Sequence, residues 1–168
     1  MVSNIPTLLP SRPALATDEP LLATLPFRFR LPAETRTKGR DVFCREYDVR
    51  GLAGIWGSRL VLEWSGNIRV TDVHGFATDL RQEPFPAGRR SLPLATLLAV
   101  TRRGWWWRPR VELEASTLGA FEGVPSATGA KLSLVVGLTD LEAAGRLVIA
   151  AQPLLGSRPT RGRDRRSA

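Results

Sequence analysis

The sequence is poor in the residues that carry most enzyme chemistry. Its 168 residues include one cysteine, Cys44, and one histidine, His74. A lone cysteine excludes an intramolecular disulfide and a thiolate-rich zinc site, and it fits a reducing compartment. A lone histidine excludes metal sites that need two imidazoles, and any Ser-His-Asp or Cys-His mechanism would depend on that one side chain. Most familiar hydrolase classes are therefore disfavoured.

Other recognisable signatures are also missing. The sequence contains no glycine-rich phosphate loop, no nucleophile elbow, and no paired carboxylates suited to metal or glycoside chemistry. No run of about 18 or more apolar residues predicts a spanning helix. Five prolines interrupt residues 1–26, which lack the basic and apolar regions of a signal peptide. We predict no catalytic residue, no cofactor and no metal in a soluble, cytoplasmic protein.

The positive charge is confined to two short segments. The net charge is +8, and 22 of the 24 basic residues are arginines. Residues 157–168 hold five arginines and one aspartate, and residues 101–110 hold four arginines and no acidic residue. The rest of the chain is neutral by count, so expectations about anionic partners concern these two segments alone.

The composition predicts one domain between two irregular ends. Residues 1–26 predict a disordered or extended proline-rich leader, and residues 156–168 predict a disordered arginine-rich tail. Residues 27–155 then form a single domain, because 43% apolar residues suffice for one sizeable core.

Apolar residues in this domain recur mostly with a period of two, which is typical of half-buried antiparallel strands. The alternation places Leu60, Leu62 and Trp64 on one face. The longest alternation, over residues 105–116, predicts that Trp105 and Trp107 face the core and that Trp106 faces outward. The other predicted strands cover residues 27–31, 42–51, 68–73, 92–100 and 131–137, with turns at 57–58, 65–67, 86–88 and 103–104. This pattern predicts a mainly β meander of about seven strands, in a sandwich or small barrel.

One segment has helical spacing instead. Thr139 and Glu142 have the spacing of a capping box, and Pro153 ends the run. The predicted apolar stripe consists of Leu141, Ala144, Gly145, Val148, Ala151 and Gln152. We expect this helix to cover the open end of a barrel or the gap between two orthogonal sheets.

Three stretches resemble small bacterial-type pleckstrin-homology-like domains. They are residues 49–52 leading into 59–64, residues 92–100 leading into 105–111, and residues 131–134 leading into the helix, and they cover about residues 40–152. The resemblance implies an antiparallel, partly open barrel or two orthogonal sheets of about seven strands, capped by one C-terminal helix. It does not carry over inositol-phosphate recognition, because the turn at residues 56–58 offers only Arg59, with Arg50 some way before it.

The candidate binding site is the segment RRGWWWRPR at residues 102–110. It combines Trp106 on the outer face with four arginines, Arg102, Arg103, Arg108 and Arg110. An indole beside guanidinium groups can stack on a base, sit at a membrane interface or anchor a protein partner. The competing interpretation is a hairpin whose three indoles pack inward while the arginines are solvated.

The two reactive side chains also have structural interpretations. His74 is expected at a strand end or turn, where Asp72 and Asp79 permit a proton-transfer pair, although a surface histidine without a catalytic role is more common. Cys44 is expected to be a small core residue.

These patterns predict a non-catalytic binding or scaffolding module. Our first expectation is a protein partner or self-association through an exposed strand and the Trp106 face. The alternative is peripheral binding to an anionic membrane, at its inner face, or to nucleic acid, through the basic patch and the tail. A further alternative is a carrier of small apolar ligands with a lipocalin-like or START-like interior.

Overall fold

The computed structural model describes residues 19–156, which form a mainly β fold followed by one α-helix. Short 3-10 helices cover Leu94–Thr96, Leu138–Asp140 and Gln152–Leu154. The strands are β1 (Leu21–Phe29), β2 (Glu34–Lys38), β3 (Asp41–Trp56), β4 (Arg59–His74), β5 (Ala77–Pro93), β6 (Leu97–Arg103), β7 (Arg110–Ala115) and β8 (Lys131–Val135), and the helix is α1 (Leu141–Ala151). The predicted mainly β class with a C-terminal helix is confirmed.

All the strands belong to one antiparallel sheet that is curled but not closed. The strand order is β5-β4-β3-β1-β8-β7-β6, and β2 pairs with β3 beyond the end of β1. The first and last strands join where Arg28 pairs with Val135. The two edges are β5 and β6, which follow each other in the chain. β2 was not predicted, because its five exposed residues show no apolar period.

The helix packs one face against the sheet. It contacts both β1 and β6, which are separated by two strands in the sheet. Ala144, Leu147 and Ala151 are its buried residues, and they join the core formed by the strands. Beyond the helix, Gln152 donates a hydrogen bond from Nε2 to the backbone oxygen of Val100, at 3.2 Å.

The predicted capping box is wrong. Thr139 lies within the 3-10 helix that precedes α1, and Asp140 occupies the N-cap without a side-chain hydrogen bond. The predicted stripe also omitted Leu147, which is fully buried. A 3-10 turn precedes α1, as is common at helix N-termini. The N-cap of α1 is therefore Asp140, and not Thr139 as the Thr-x-x-Glu spacing predicted.

The loop after β7, residues 116–130, is tied to the opposite edge of the sheet. Ala120, Phe121 and Val124 of this loop are buried in the core. Arg90 of β5 donates from Nε to the oxygen of Ala120 at 3.0 Å and from Nη2 to that of Gly119 at 3.2 Å. The loop therefore links the two sides of the open sheet.

Strands β3, β4 and β5 continue past the end of β1 and form, with β2, an extension that we call the arm (residues 34–48 and 65–85). The turns predicted at residues 65–67 and 86–88 are wrong, because these residues lie inside β4 and β5. A bulge between Trp64 and Gly66 bends the strand there instead of ending it. The turn predicted at residues 57–58 is confirmed, and Gly57 has a φ of 49°.

Two further sequence predictions need correction. The domain begins before Phe27, since β1 starts at Leu21 and both Ala23 and Leu25 are buried. Pro26 is tolerated in this strand because β8 pairs with β1 only near Arg28, which leaves one side of the backbone unpaired. Cys44 lies on the arm and is partly exposed, outside the core cluster. The remainder of the predicted leader, residues 1–18, and the tail residues 157–168 lie outside the described residues.

Candidate functional site

The predicted site lies in the tight connection between β6 and β7. The strand pairing ends at Arg103 and Arg110. Gly104 has a φ of 91°, and a Cβ there would overlap the backbone oxygen of Arg108. The amide of Arg108 donates to the oxygen of Trp105 at 2.9 Å. These constraints turn the chain sharply and leave residues 105–107 at the tip of the hairpin.

The three indoles at the tip form an exposed tryptophan cluster. The exposed fractions of Trp105, Trp106 and Trp107 are 71%, 73% and 50%. Trp105 stacks on Trp107 with centroids 5.2 Å apart, and Trp106 meets Trp107 edge-on at 5.3 Å. The prediction that Trp105 and Trp107 face the core is wrong. Alternation requires a pleated strand, and the tip is a turn. The alternation holds from β7 onward, where Val111, Leu113 and Ala115 are buried.

Four exposed arginines flank the cluster, and two of them share one carboxylate. Arg110 Nε lies 2.9 Å from Glu112 Oε1, and Arg103 Nε lies 3.8 Å from Glu112 Oε2. Within the described part of the chain, no ion pair involves Arg102 or Arg108. The hairpin thus combines exposed indoles with an excess of positive charge. The five predicted site residues, Trp106, Arg102, Arg103, Arg108 and Arg110, all lie on it.

The hairpin and the arm lie at the same end of the sheet. Arg110 pairs with Val135, which pairs with Arg28 near the end of β1. The arm begins at that same end of β1. The arginine-rich tail starts elsewhere, because the amide of Gly156 donates to the oxygen of Leu97 at the opposite end of β6.

A second aromatic site, which the sequence did not predict, is a groove of about 720 Å³ at this end of the sheet. We call it the aromatic groove. Its apolar wall includes Tyr47, Trp64 and Phe85 with Pro32, Pro86 and Pro125. These residues come from β3, β4, β5 and two loops, so no local pattern connects them. The alternation around Trp64 placed that residue on the core face, which was the only available signal.

The wall of the groove is held by specific contacts. The Tyr47 and Phe85 rings meet edge-on at 6.2 Å, and Trp64 meets Phe29 edge-on at 6.1 Å. Tyr47 donates from its hydroxyl to Glu34 Oε1 at 2.7 Å. That hydrogen bond to the carboxylate of Glu34 raises the pKa of Tyr47 above its ordinary value of 10.0.

His74 lies at the end of β4, as predicted. Its Nε2 is 3.0 Å from Asp72 Oδ1 and its Nδ1 is 3.6 Å from Asp41 Oδ1. The predicted neighbour Asp79 pairs with Asp72 across the β4-β5 ladder. The histidine side chain is exposed at the tip of the arm.

The described residues offer neither a grouped set of metal ligands nor a membrane-spanning helix. Across residues 19–156, no three His, Cys, Asp or Glu side chains are grouped so that they could hold a metal ion. None of the helices in this range has the length and apolar character needed to cross a membrane.

The chain matches no family model, no curated protein and no solved structure. Its class is therefore defined by its own geometry. It is a mainly β domain built on one open antiparallel sheet, with a C-terminal helix, an exposed tryptophan–arginine hairpin and an aromatic groove.

Proposed function

We propose that the protein is a non-catalytic binding module that docks on anionic membrane surfaces through the tryptophan cluster and its four flanking arginines. The observation that carries the proposal is the exposure of three adjacent indoles at the tip of a hairpin. Tryptophan prefers membrane interfaces, because the ring is apolar and its N–H still finds a polar partner there. The proposed location is the inner face of the cytoplasmic membrane.

The exposed apolar surface is large for a single hairpin. The three indoles together expose on the order of 400 Å² at the observed fractions, if each ring system offers about 200 Å². Patches of that size are close to the largest found on monomers, and they are often functional. The tip protrudes, so a membrane can receive it without a matching pocket.

The arginines add electrostatic attraction to the same surface. Each basic side chain near an anionic leaflet contributes about 1 kcal/mol, and the attraction falls off within a Debye length. Arg102 and Arg108 carry no ion pair among the described residues, so lipid phosphates meet guanidinium groups without a competing carboxylate. Arg103 and Arg110 share Glu112 and contribute less.

Nucleic acid fits the hairpin less well. A base stacks on an open aromatic face. Trp105 and Trp107 already cover one face of each other, so the cluster offers fewer open faces than three separate indoles would. Membrane insertion does not require a free ring face.

Strand addition, from a protein partner or a second copy, is the second candidate function. It is favoured by β5, whose outer edge is unpaired and carries the exposed Leu80. Pro84, Pro86 and Pro93 lack the N–H that an added strand needs, and proline commonly protects edge strands. The longest proline-free stretch of the β5 edge is therefore residues 77–83.

Two further hypotheses concern the core of the domain and its strand order: a carrier of apolar ligands and a pleckstrin-homology-like fold. An apolar-ligand carrier draws less support, because Phe121 and the buried residues of α1 pack with the strands in one core cluster. We also propose that the fold is pleckstrin-homology-like. This proposal is supported by the junction of the first and last strands and by the helix that follows the last strand.

Vesicle co-sedimentation at two salt concentrations tests the membrane proposal. The variant Trp105→Ala/Trp106→Ala/Trp107→Ala should bind anionic vesicles at least tenfold more weakly, while its unfolding midpoint stays near that of the unmodified protein. Ile149→Ala is the matched control, because Ile149 is an exposed apolar side chain on the helix. We expect it to bind normally.

The arginines are tested separately. Arg102→Glu/Arg108→Glu should weaken binding to anionic vesicles strongly at low salt and little at high salt. Equal binding of the triple tryptophan variant would refute the proposal. A concentration-dependent mass by light scattering, unaffected by the tryptophan substitutions, would favour strand addition instead.

A further inference from the structure

The aromatic groove has the chemistry of a site for proline-rich peptides. Such peptides form a polyproline II helix, which is extended before it binds and docks on surfaces lined by aromatic rings. Three aromatic rings and three prolines line this groove over about 720 Å³. This volume suits a few residues of extended peptide.

The groove is formed before any ligand arrives. Trp64 is fixed against Gly88, where a Cβ would overlap the indole. Tyr47 is held by the hydroxyl contact to Glu34 and by the ring of Phe85. A preformed wall loses little side-chain freedom on binding, which lowers the entropic cost of docking a peptide.

The polar groups at the rim favour a basic ligand. Arg89 is paired with Glu63 at 3.2 Å, and Arg90 is bound to backbone oxygens of the 116–130 loop. Two carboxylates, those of Glu34 and Glu122, also line the groove. The arginines are thus engaged, and Glu34 accepts the Tyr47 hydroxyl, whereas Glu122 is exposed and makes no ion pair among the described residues.

The chain itself carries a peptide of this composition ahead of the described residues. Pro10 and Pro13 are spaced as P-x-x-P with Arg12 between them, and Leu8 and Leu9 precede them. P-x-x-P segments favour polyproline II and dock on aromatic grooves. Arg12 supplies the positive charge that the rim carboxylates favour.

The leader is long enough to reach the groove. The described chain begins beside the β3-β4 turn, where the amide of Gly57 donates to the oxygen of Pro20 at 3.0 Å. From that turn, Trp64 lies roughly 20 Å along β4 at about 3.3 Å per residue. The six residues from Pro13 to Glu19 extend up to about 20 Å, and the nine from Pro10 extend up to about 30 Å, so a fully extended leader brings Pro13 to Trp64 and Pro10 beyond it. Covalent attachment also gives the leader an effective concentration in the millimolar range.

We propose that the aromatic groove is a binding site for proline-rich peptides and that residues 8–13 of the same chain occupy it. Pro10 and Pro13 pack on the aromatic wall, and Arg12 faces the rim carboxylates. Any external proline-rich peptide must then displace the leader, so the leader acts as a built-in competitor.

Paramagnetic relaxation in the full-length chain tests this proposal. A spin label is attached at position 14 in an Ala14→Cys/Cys44→Ser variant, and the backbone amides are observed by NMR. We expect strong broadening at Gly88 and Gly123, which line the groove. The same label in a Pro10→Ser/Pro13→Ser chain should leave these two amides sharp, while amides near Gly57 stay broadened because the leader begins there. A label at position 157, from Ser157→Cys in the same background, is the control for the other terminus.

Charge reversal gives a second readout. Glu122→Lys should reduce the broadening at Gly88 severalfold, and Asp79→Lys, an exposed acidic residue of the arm, should not change it. Equal broadening with and without the two prolines would overturn the proposal. So would broadening that appears only between labelled and unlabelled chains in a mixed sample, because the occupant would then be a second copy. Vesicle binding plays no part in these measurements, so failure here leaves the membrane proposal intact.

Discussion

Trp64 and the tryptophan cluster carry the same residue type in opposite environments. Trp64 is half-buried, packs on the core and meets Phe29 edge-on. Trp105 and Trp107 have the same alternating sequence spacing, yet both are exposed and contact mainly each other. The difference lies in the backbone, because Trp64 sits on a strand paired on both sides whereas the three indoles sit on a turn. Side-chain alternation is a property of the pleated ladder and ends where the ladder ends.

The largest expected difference between the two regions is in stability. Trp64→Ala should lower the free energy of unfolding by about 3 kcal/mol, because it removes a packed aromatic side chain and leaves a cavity. Trp106→Ala should change it by less than about 0.5 kcal/mol, as exposed substitutions usually do. Urea unfolding of both variants measures the contrast. Comparable losses in the two would mean that the hairpin indoles are packed.

The next largest loss of stability is expected at Gly88, which packs against the Trp64 indole. Gly88→Ala should cost about 2 kcal/mol, since the new Cβ would overlap the indole and force Trp64 or the strand to move. Gly119→Ala is the matched control, because a Cβ there meets no atom within 4 Å. Thermal unfolding compares them, and an unchanged Gly88→Ala variant would contradict the observed packing.

A smaller effect is expected where the 116–130 loop meets β5. Arg90→Ala should cost about 1.5 kcal/mol, because hydrogen bonds from a charged donor to the oxygens of Ala120 and Gly119 are lost. Amide hydrogen exchange should rise in the loop and stay unchanged at the tryptophan cluster. Arg89→Ala is the control, because the ion pair between Arg89 and Glu63 lies nearer to solvent. Equal exchange in both variants would show that Arg90 does not hold the loop.

The smallest effect is on the titration of Tyr47, the single tyrosine of the chain. Its hydrogen bond to Glu34 raises its pKa, so it should ionise above the ordinary value of 10.0. The contact stabilises the fold below that value and is lost as pH rises through the raised pKa. Ultraviolet titration of Glu34→Ala should show the pKa falling back toward the ordinary value. An identical curve would mean that the hydrogen bond does not persist in solution. The exposed cluster has no equivalent titration.

The strands whose partners lie on both sides were the ones that the sequence predicted well. Val111 and Leu113 of β7 alternate and are buried, because a strand paired on both sides turns successive side chains to opposite faces. Leu60 and Leu62 are buried as predicted, although Val61 between them is buried as well. β2 and the outer half of β5 escaped prediction, since edge and arm strands bury little and need no apolar period. The bends inside β4 and β5 resembled turns, because glycine and proline serve both purposes.

The two candidate sites differ in how far apart their residues lie in the sequence. The hairpin residues are contiguous in the chain, so their composition alone drew attention to Trp106 and the four arginines. The aromatic groove joins Tyr47, Trp64 and Phe85 across three strands and two loops, and no local spacing links them.

The amino-acid sequence by itself determined the mainly β class, the approximate number of strands, the single C-terminal helix and the two basic segments. These features follow from periodicity and charge, which act over a few neighbouring residues. Only the tertiary structure decided which strands form the edges, where the ladder gives way to the exposed indoles, and which distant rings meet in the groove. These depend on strand pairing between residues far apart in the chain, because that pairing sets the direction in which each side chain points.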